Sequence, residues 1–109
     1  MDDDCMKLQA KITMVAISDG GRQSPFSNGY RPQFYFDDKH FISKLGLPSD
    51  RWVYPGESAV VTITFPQIYT LFLSERIAIG SSFQLWEGLR IIAHGEVTDI
   101  QQPNELRSK

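Results

Sequence analysis

A regular alternation of apolar and polar residues near the start of the chain most constrains its fold. In residues 7–17 (KLQAKITMVAI), every second side chain is apolar, which places five of them on one face: Leu8, Ala10, Ile12, Met14 and Ala16. A period of two residues is typical of a strand with one buried and one exposed face. The segment therefore predicts a strand that covers a hydrophobic core.

Later segments have a similar strand-like character and are separated by residues that favour turns. The segments that predict strands are residues 30–36 (YRPQFYF), 52–54, 59–65 (AVVTITF), 75–79 (ERIAI) and 89–100. Pro55-Gly56-Glu57 predicts a type II turn, because proline presets φ and glycine tolerates the left-handed conformation. Five or six short strands joined by polar turns predict a small, all-β, antiparallel barrel.

Three details refine this prediction. Pro32 has no amide hydrogen, which predicts a sheet edge or a bulge at that point of its strand. Gly95, inside the last strand, predicts a bulge or a close approach of another group to the backbone. The segment 37–50 has no clear period and predicts irregular structure.

The length and composition predict one soluble globular domain. The chain has 109 residues, of which 41% are hydrophobic and 22% are charged, close to the averages for such domains. We expect an acidic tail over residues 1–6, the barrel over 7–100 and a polar tail over 101–109. No run approaches the roughly 18 apolar residues of a membrane span, and the acidic start is unlike a signal peptide. Together with the single cysteine, Cys5, this predicts a reducing, cytoplasmic location.

Residue patterns for catalysis, metal binding or nucleotide binding are not found in the sequence. The two histidines, His40 and His94, have no catalytic or zinc-binding spacing around them, and we expect both to be surface or strand residues. Asp37 and Asp38, taken as strand neighbours, would point to opposite sides and make a poor acid–base pair. The GxxxxGK[ST] signature for nucleotide phosphates does not occur. We therefore expect no enzymatic activity, no cofactor, no metal and no bound nucleotide.

The segment GGRQSPFSNGYRPQFYF, Gly20–Phe36, resembles the signature of the C-terminal domain (domain 3) of bacterial elongation factor Tu. The likeness includes the Gly-Gly-Arg turn, a Pro-Phe pair and the unbroken run GYRPQFYF. Further along, Pro55-Gly56-Glu57, residues 61–66, Glu75–Ile79 and Glu87-Gly88-Leu89-Arg90 resemble the family's later turns and strands. The resemblance covers about residues 7–100 and implies a six-stranded antiparallel barrel, here as a stand-alone domain.

The sequence also departs from the family pattern. Phe72-Leu73 and residues 80–86 resemble insertions, and the second predicts a lengthened hairpin whose apolar tip, Phe83, Leu85 and Trp86, is an exposed partner-binding site. The competing interpretation is that these side chains fold back onto the barrel. After Phe36 the family continues with basic and threonine-rich residues, whereas this chain has Asp37-Asp38.

The resemblance implies contacts with the transfer RNA backbone, with a GTPase domain and with a nucleotide exchange factor. Carried over by position, it implies that Arg22, Gln33 and Arg90 contact RNA or a partner. Arginine suits phosphate oxygens, and a glutamine amide suits ribose and phosphate. The alternative is that Arg22 is solvated or paired with Asp19 in a tight turn. Tyr30, Phe34 and Phe36 are expected in the core rather than as base-stacking residues.

The negative charges at Asp37 and Asp38 disfavour an approaching phosphate backbone, and the whole chain carries a formal charge of −2. We therefore expect a non-enzymatic binding module that engages a protein partner of the translation apparatus. The alternative is a weak tRNA or RNA backbone binder that uses Arg22, Gln33 and Arg90.

Overall fold

The computed structural model of the protein describes residues 6–101, in which nine strands and one short α-helix are formed. The strands are β1 (Lys7–Met14), β2 (Phe26–Ser27), β3 (Gln33–Phe36), β4 (Lys39–Ile42), β5 (Lys44–Gly46), β6 (Trp52–Val53), β7 (Ser58–Thr64), β8 (Ser82–Glu87) and β9 (Arg90–Gln101). Helix α1 spans Thr70–Arg76, and 3-10 turns lie at Ile17–Asp19 and Gln67–Tyr69. The all-β class is confirmed.

Seven strands form one antiparallel sheet in the order β4-β3-β8-β9-β1-β7-β5, and β2 pairs with β6 in a separate ribbon. The two outermost strands of the large sheet, β4 and β5, are consecutive in the chain and are joined by Ser43 alone. The sheet therefore curls until one stretch of chain, residues 39–46, serves both of its edges. The predicted antiparallel barrel is realised in this half-barrel form, with more and shorter strands than the six expected.

The core lies inside the curl and is filled by the alternate side chains that the sequence pattern indicated. Leu8, Ala10, Ile12 and Met14 of β1 are fully or almost fully buried, whereas Ala16, the fifth residue predicted on this face, lies beyond the end of β1 and is partly buried. Phe34 is the largest fully buried side chain, and its ring centroid lies 4.5 Å from that of Phe83 and 4.9 Å from that of Phe65. Phe36 and Tyr30 are partly buried against this cluster. The expectation of a core position is confirmed for Phe34, whereas Tyr30 and Phe36 lie at the margin of the core.

The predicted strand over residues 75–79 is wrong, because the chain forms helix α1 there and then a turn. Thr70, Leu73 and Ile77 are the buried residues of this segment, and their spacing is that of one helix face. Phe72 and Leu73, which resembled an insertion, belong to this helix. The packing of Phe72 against Phe41, with ring centroids 5.7 Å apart, holds the helix against β4.

The irregular structure predicted for residues 37–50 is also corrected, since β4 and β5 lie within this segment. Asp37 and Asp38 form the two-residue turn between β3 and β4, with φ values of 56° and 59°. Two positive φ values define the type I′ turn that matches the twist of paired strands, and aspartate tolerates this conformation. The period was missed because β4 alternates over only four residues.

The predictions for Gly56 and Gly95 are confirmed, whereas the sheet edge predicted at Pro32 is not found. Gly56 has a φ of 89°, and the amide of Glu57 donates to the carbonyl of Tyr54 over 2.9 Å, as the predicted type II turn requires. At Gly95 a Cβ atom would collide with the Phe83 ring, which confirms the predicted close approach. Pro32 lies just before β3, an interior strand and not a sheet edge.

The ends of the barrel differ slightly from the predicted boundaries. Met6, assigned to the acidic tail, is completely buried, and Gln101 is the last residue of β9. The rest of both predicted tails, including Cys5, lies outside the described residues. Within residues 6–101, no helix is long and apolar enough to cross a membrane.

Candidate functional site

The three strands β4, β3 and β8 present a continuous set of side chains on the side of the sheet that faces away from the core. Gln33 lies opposite Ile42 on β4 and opposite Trp86 on β8. Two residues along, Tyr35 lies opposite His40 and Gln84. Directly opposed residues point to the same side of an antiparallel sheet. We call this set the outer face: Gln33, Tyr35, His40, Ile42, Gln84 and Trp86.

Three rings form the centre of the outer face. The centroid of Tyr35 lies 4.7 Å from that of His40 and 5.2 Å from that of Trp86, and the His40 and Trp86 rings meet edge to face at 5.1 Å. Such contacts stabilise neighbouring strands modestly and fix the orientation of the rings. The rings are thereby held in place although the surface is open to solvent.

Hydrogen bonds orient the polar groups of the outer face. The indole Nε1 of Trp86 donates to the Gln84 side-chain oxygen over 2.9 Å, and the Tyr35 hydroxyl donates to the Asp38 carboxylate over 3.1 Å. The hydrogen bond to Asp38 is the main cause that raises the pKa of Tyr35. Ile42 adds an apolar side chain that is 60% exposed. The result is an aromatic and apolar surface with amide groups, which suits protein surfaces or flat bases.

The predicted exposed tip at Phe83, Leu85 and Trp86 is corrected by the structure. These residues lie within β8, an interior strand between β3 and β9, and not at a hairpin tip. Phe83 and Leu85 point inward and are buried at 4% and 0% exposure. Trp86 points to the outer face and is half-buried. The actual β8–β9 tip is Gly88-Leu89, where Leu89 is 97% exposed.

Arg22 is bound to other parts of the protein at one end of the sheet. Its guanidinium donates to the Glu87 carboxylate, and the Tyr30 hydroxyl donates to the same carboxylate over 3.1 Å. The guanidinium carbon also lies 4.8 Å from the centre of the Tyr30 ring. We call Arg22, Tyr30 and Glu87 the Arg22 cluster. The suggested pairing of Arg22 with Asp19 is wrong, because its carboxylate partner is Glu87.

The surroundings of Tyr30 determine its ionisation. Burial of the phenol, followed by the negative charge of Glu87, raises the pKa of Tyr30 to about 12, against the opposing effect of Arg22. The Tyr30 ring stacks on that of Phe26 at 4.9 Å, with an angle of 18° between the planes. The Arg22 cluster is therefore anchored to the core at the position where the family resemblance implies contact with RNA.

The three residues predicted to bind RNA or a partner lie around the end of β8. Arg22 contacts Glu87, Arg90 lies opposite Glu87 across the hairpin, and Gln33 lies opposite the adjacent residue, Trp86. Gln33 and Arg90 are exposed. The structure thus gathers residues that are far apart in the sequence. Gln33 belongs to the outer face and Arg22 to the Arg22 cluster, whereas Arg90 lies opposite Glu87 and belongs to neither set.

The acidic turn after β3 has partners within the protein. Asp38 accepts the hydrogen bond from Tyr35, and an Asp37 oxygen lies 3.8 Å from the Nε atom of Arg76. Both carboxylates lie in a turn and not in a strand, so the prediction that they point to opposite sides of a strand was based on the wrong local structure. Across residues 6–101, no three His, Cys, Asp or Glu side chains come together to form a metal site.

Sequence reasoning missed two contributions to this region. His40 was assigned no role beyond that of a surface or strand residue, and Tyr35 was placed only on the polar side of its strand. The alternation in YRPQFYF already placed Tyr35 and Phe34 on different faces of their strand. The register that brings His40 and Trp86 to the same face as Tyr35 depends on long-range pairing. Glu87 was visible in the Glu-Gly-Leu-Arg motif, but its pairing with Arg22 was not.

A comparison with known protein families agrees with this geometry. The family described as the elongation factor Tu C-terminal domain matches residues 3–101 of the 109-residue chain. The matched range contains all nine strands and both groups of site residues, and the all-β architecture is consistent with this family. The chain therefore belongs to the elongation factor Tu C-terminal domain family.

Proposed function

We propose that the chain is a non-enzymatic, translation-factor-like binding module whose outer face engages a protein partner of the translation apparatus in the cytoplasm. The observation that carries the proposal is the ring cluster of Tyr35, His40 and Trp86, in which the rings contact one another, His40 is exposed and the other two are half-buried. Aromatic side chains of this kind dominate the binding energy of protein interfaces. The family membership supports the translational setting of the partner.

The electrostatics of the neighbouring residues favour a protein over a nucleic acid. Arg22 is neutralised by Glu87, and Asp37 and Asp38 lie in the turn beside the outer face. A phosphate backbone gains binding free energy mainly from unpaired cations and loses it near carboxylates. A protein surface with apolar groups and hydrogen-bonding partners for Gln33 and Gln84 avoids this cost.

The second candidate function is weak binding to the tRNA or RNA backbone. It is supported by the position of Arg22, Gln33 and Arg90 around the end of β8. Gln33 and Arg90 are exposed and free to meet ribose or phosphate groups, and a ring of the outer face would stack on an unpaired base. This function requires Arg22 to exchange Glu87 for a phosphate oxygen.

The two functions are separated by affinity capture from a bacterial lysate, with protein and RNA recovered from the same beads. The native chain is compared with Trp86→Ala and with the control Val60→Ala, which truncates an apolar side chain that is 63% exposed on β7. We expect native and Val60→Ala proteins to retain a defined translational protein after nuclease treatment and at moderate salt. Trp86→Ala should lose it at least tenfold, as for an interface hot spot.

Thermal unfolding of each variant shows whether a loss of capture is caused by loss of the folded structure. Tyr35→Ala serves as a second variant of the outer face. Recovery of tRNA that falls steeply with salt, with no protein retained after nuclease, would support the second function. Equal capture by native, Trp86→Ala and Tyr35→Ala proteins would contradict the assignment of the outer face.

A further inference from the structure

The place where the sheet closes contains a break in the strand pairing. The residues that run from β4 into β5 pair first with β3 and then with β7, and Ser43 is the change-over point. Opposite this point lies Pro32, which has no amide hydrogen to donate. The buried Ser43 hydroxyl donates instead to the Pro32 carbonyl over 2.7 Å. We call this position the Ser43 corner.

A cavity of about 280 Å³ opens at the Ser43 corner. Its apolar wall is formed by Ile42, Phe65 and Pro66, and its cationic side chains are Lys7, Arg31 and Lys44. The position of the lysines follows from the strand register, because Lys7 of β1 and Lys44 of β5 both lie opposite Thr64 of β7. Side chains that are directly opposed in this way point to the same side.

The charges around this cavity are not balanced by the residues that form it. No carboxylate lines the cavity, and within residues 6–101 none of its three cations has an acidic partner within 4.0 Å. Arg51 and Arg76 elsewhere on the surface each have such a partner. Converging positive charges without a counter-charge attract an anion, and the effect is stronger in a concave site.

We propose that the cavity at the Ser43 corner binds the phosphate group of a small phosphorylated organic molecule. Lys7, Arg31 and Lys44 would contact the phosphate oxygens, since ammonium and guanidinium groups are the usual phosphate ligands. Phe65, Ile42 and Pro66 would contact the organic part. The volume lies near the lower end of the range for small-molecule sites, which suits a compact ligand.

The shape of the site distinguishes this ligand from a nucleic acid strand. A polynucleotide needs cations spaced along a track to follow successive phosphates, whereas these three converge on one cavity. Of the outer face only Ile42 lines the cavity, and the Arg22 cluster contributes no lining side chain. The inference goes beyond the proposed protein-binding function and does not depend on it.

The test is a titration of the full chain with phenyl phosphate, followed by amide chemical shifts in NMR spectra. Inorganic phosphate and sodium chloride at matched ionic strength are titrated in parallel. We expect saturable shifts at Ser43, Lys44 and Phe65, with tighter binding of phenyl phosphate than of inorganic phosphate because the ring contacts the apolar wall. Tighter binding of inorganic phosphate would identify free phosphate as the ligand and overturn the organic part of the proposal.

Charge-matched variants test the assignment of residues. Lys44→Gln should weaken phenyl phosphate binding about tenfold, the typical loss for a charge-assisted contact. Lys11→Gln removes the same charge from β1 about 13 Å from Lys7 along the strand and should change binding less than twofold.

Three results would overturn the proposal: shifts equal to those with chloride, equal losses in the two variants, or tighter binding of a short RNA than of phenyl phosphate. Binding that appears only after Asp2, Asp3 and Asp4 are replaced by asparagine would identify this acidic segment as the occupant and would also overturn it.

Discussion

Trp86 and Glu87 are neighbours in β8, yet their surroundings lead to opposite properties. Trp86 is half-buried among the rings of Tyr35 and His40, and part of its ring remains exposed to solvent. Glu87 accepts hydrogen bonds from Arg22 and Tyr30, so its charge and that of Arg22 are satisfied within the protein. The difference is that Trp86 leaves part of an aromatic ring available for contact, whereas the charges of Arg22 and Glu87 are paired within the protein.

This comparison also changes the interpretation of the family signature. Arg22 belongs to the segment Gly20–Phe36 that resembles the family signature, which implied that Arg22 contacts RNA or a partner, but in this chain Arg22 connects the segment to Glu87 at the β8–β9 hairpin. The same segment supplies Phe34 to the core and Tyr35 to the outer face. One stretch of sequence therefore contributes to stability and to a candidate binding surface through alternate residues.

The largest effect is expected from replacing two adjacent rings of β3, one in the core and one on the outer face. Phe34→Ala should lower the free energy of unfolding by about 3–5 kcal/mol, because it leaves a cavity among Phe83, Phe65 and Phe41. Tyr35→Ala should cost about 1 kcal/mol or less, as for cross-strand contacts on an exposed face. Urea unfolding of both variants measures the difference. Similar losses would mean that the outer face contributes as much to stability as the core.

A medium effect is expected when the charge of Glu87 is removed. Glu87→Gln leaves Arg22 without its counter-charge, which should reduce the free energy of unfolding by about 1 kcal/mol. The same variant should bind tRNA several-fold more tightly at low salt, since Arg22 becomes available to phosphate. Fluorescence anisotropy with labelled tRNA measures this gain, and Glu96→Gln is the control, because it removes an exposed carboxylate of β9 that pairs with no arginine or lysine of residues 6–101. No gain would show that Glu87 does not mask Arg22.

The smallest effect is expected in the titration of Tyr30. Its pKa of about 12 in the folded protein lies above the ordinary value of 10.0, so the neutral phenol is favoured by folding. This contribution to stability is complete below pH 10 and is lost as the pH rises towards about 12. Ultraviolet difference spectra of native and Tyr30→Phe proteins isolate the transition. A Tyr30 transition near pH 10 would show that burial and Glu87 do not act on the phenol as described.

The sequence predicted the parts of the fold that depend on local chemistry. The alternation of β1, the turn at Gly56 and the close approach at Gly95 are confirmed, because each follows from a short-range steric or solvation requirement. The strand predicted at residues 75–79 was wrong. The segment ERIAI alternates, but the buried positions Thr70, Leu73 and Ile77 form a helical face that extends across its start.

The candidate site was less predictable because it is assembled by pairing between distant segments. The inward orientation of Phe83 and Leu85 depends on the register of β8 with β3, and the β8 segment itself resembled an insertion. The pairing of Arg22 with Glu87 joins residues that are 65 positions apart. No local pattern encodes such a distance, whereas the two exposed residues Gln33 and Arg90 could be named from the resemblance.

The continuous stretch that runs from β4 through Ser43 into β5 also bears on aggregation. Unpaired edge strands allow other chains to add to a sheet and to form fibres. Here the backbone of Leu45 exchanges hydrogen bonds with Gly29 and Tyr30 while β5 pairs with β7. The four-residue β4 carries Lys39 and packs its Phe41 ring against Tyr69 and Phe72 beside α1. This arrangement leaves only a short and partly covered edge backbone with which a strand of a second molecule could pair. Aggregation through the sheet edge is therefore disfavoured when the protein folds at high concentration.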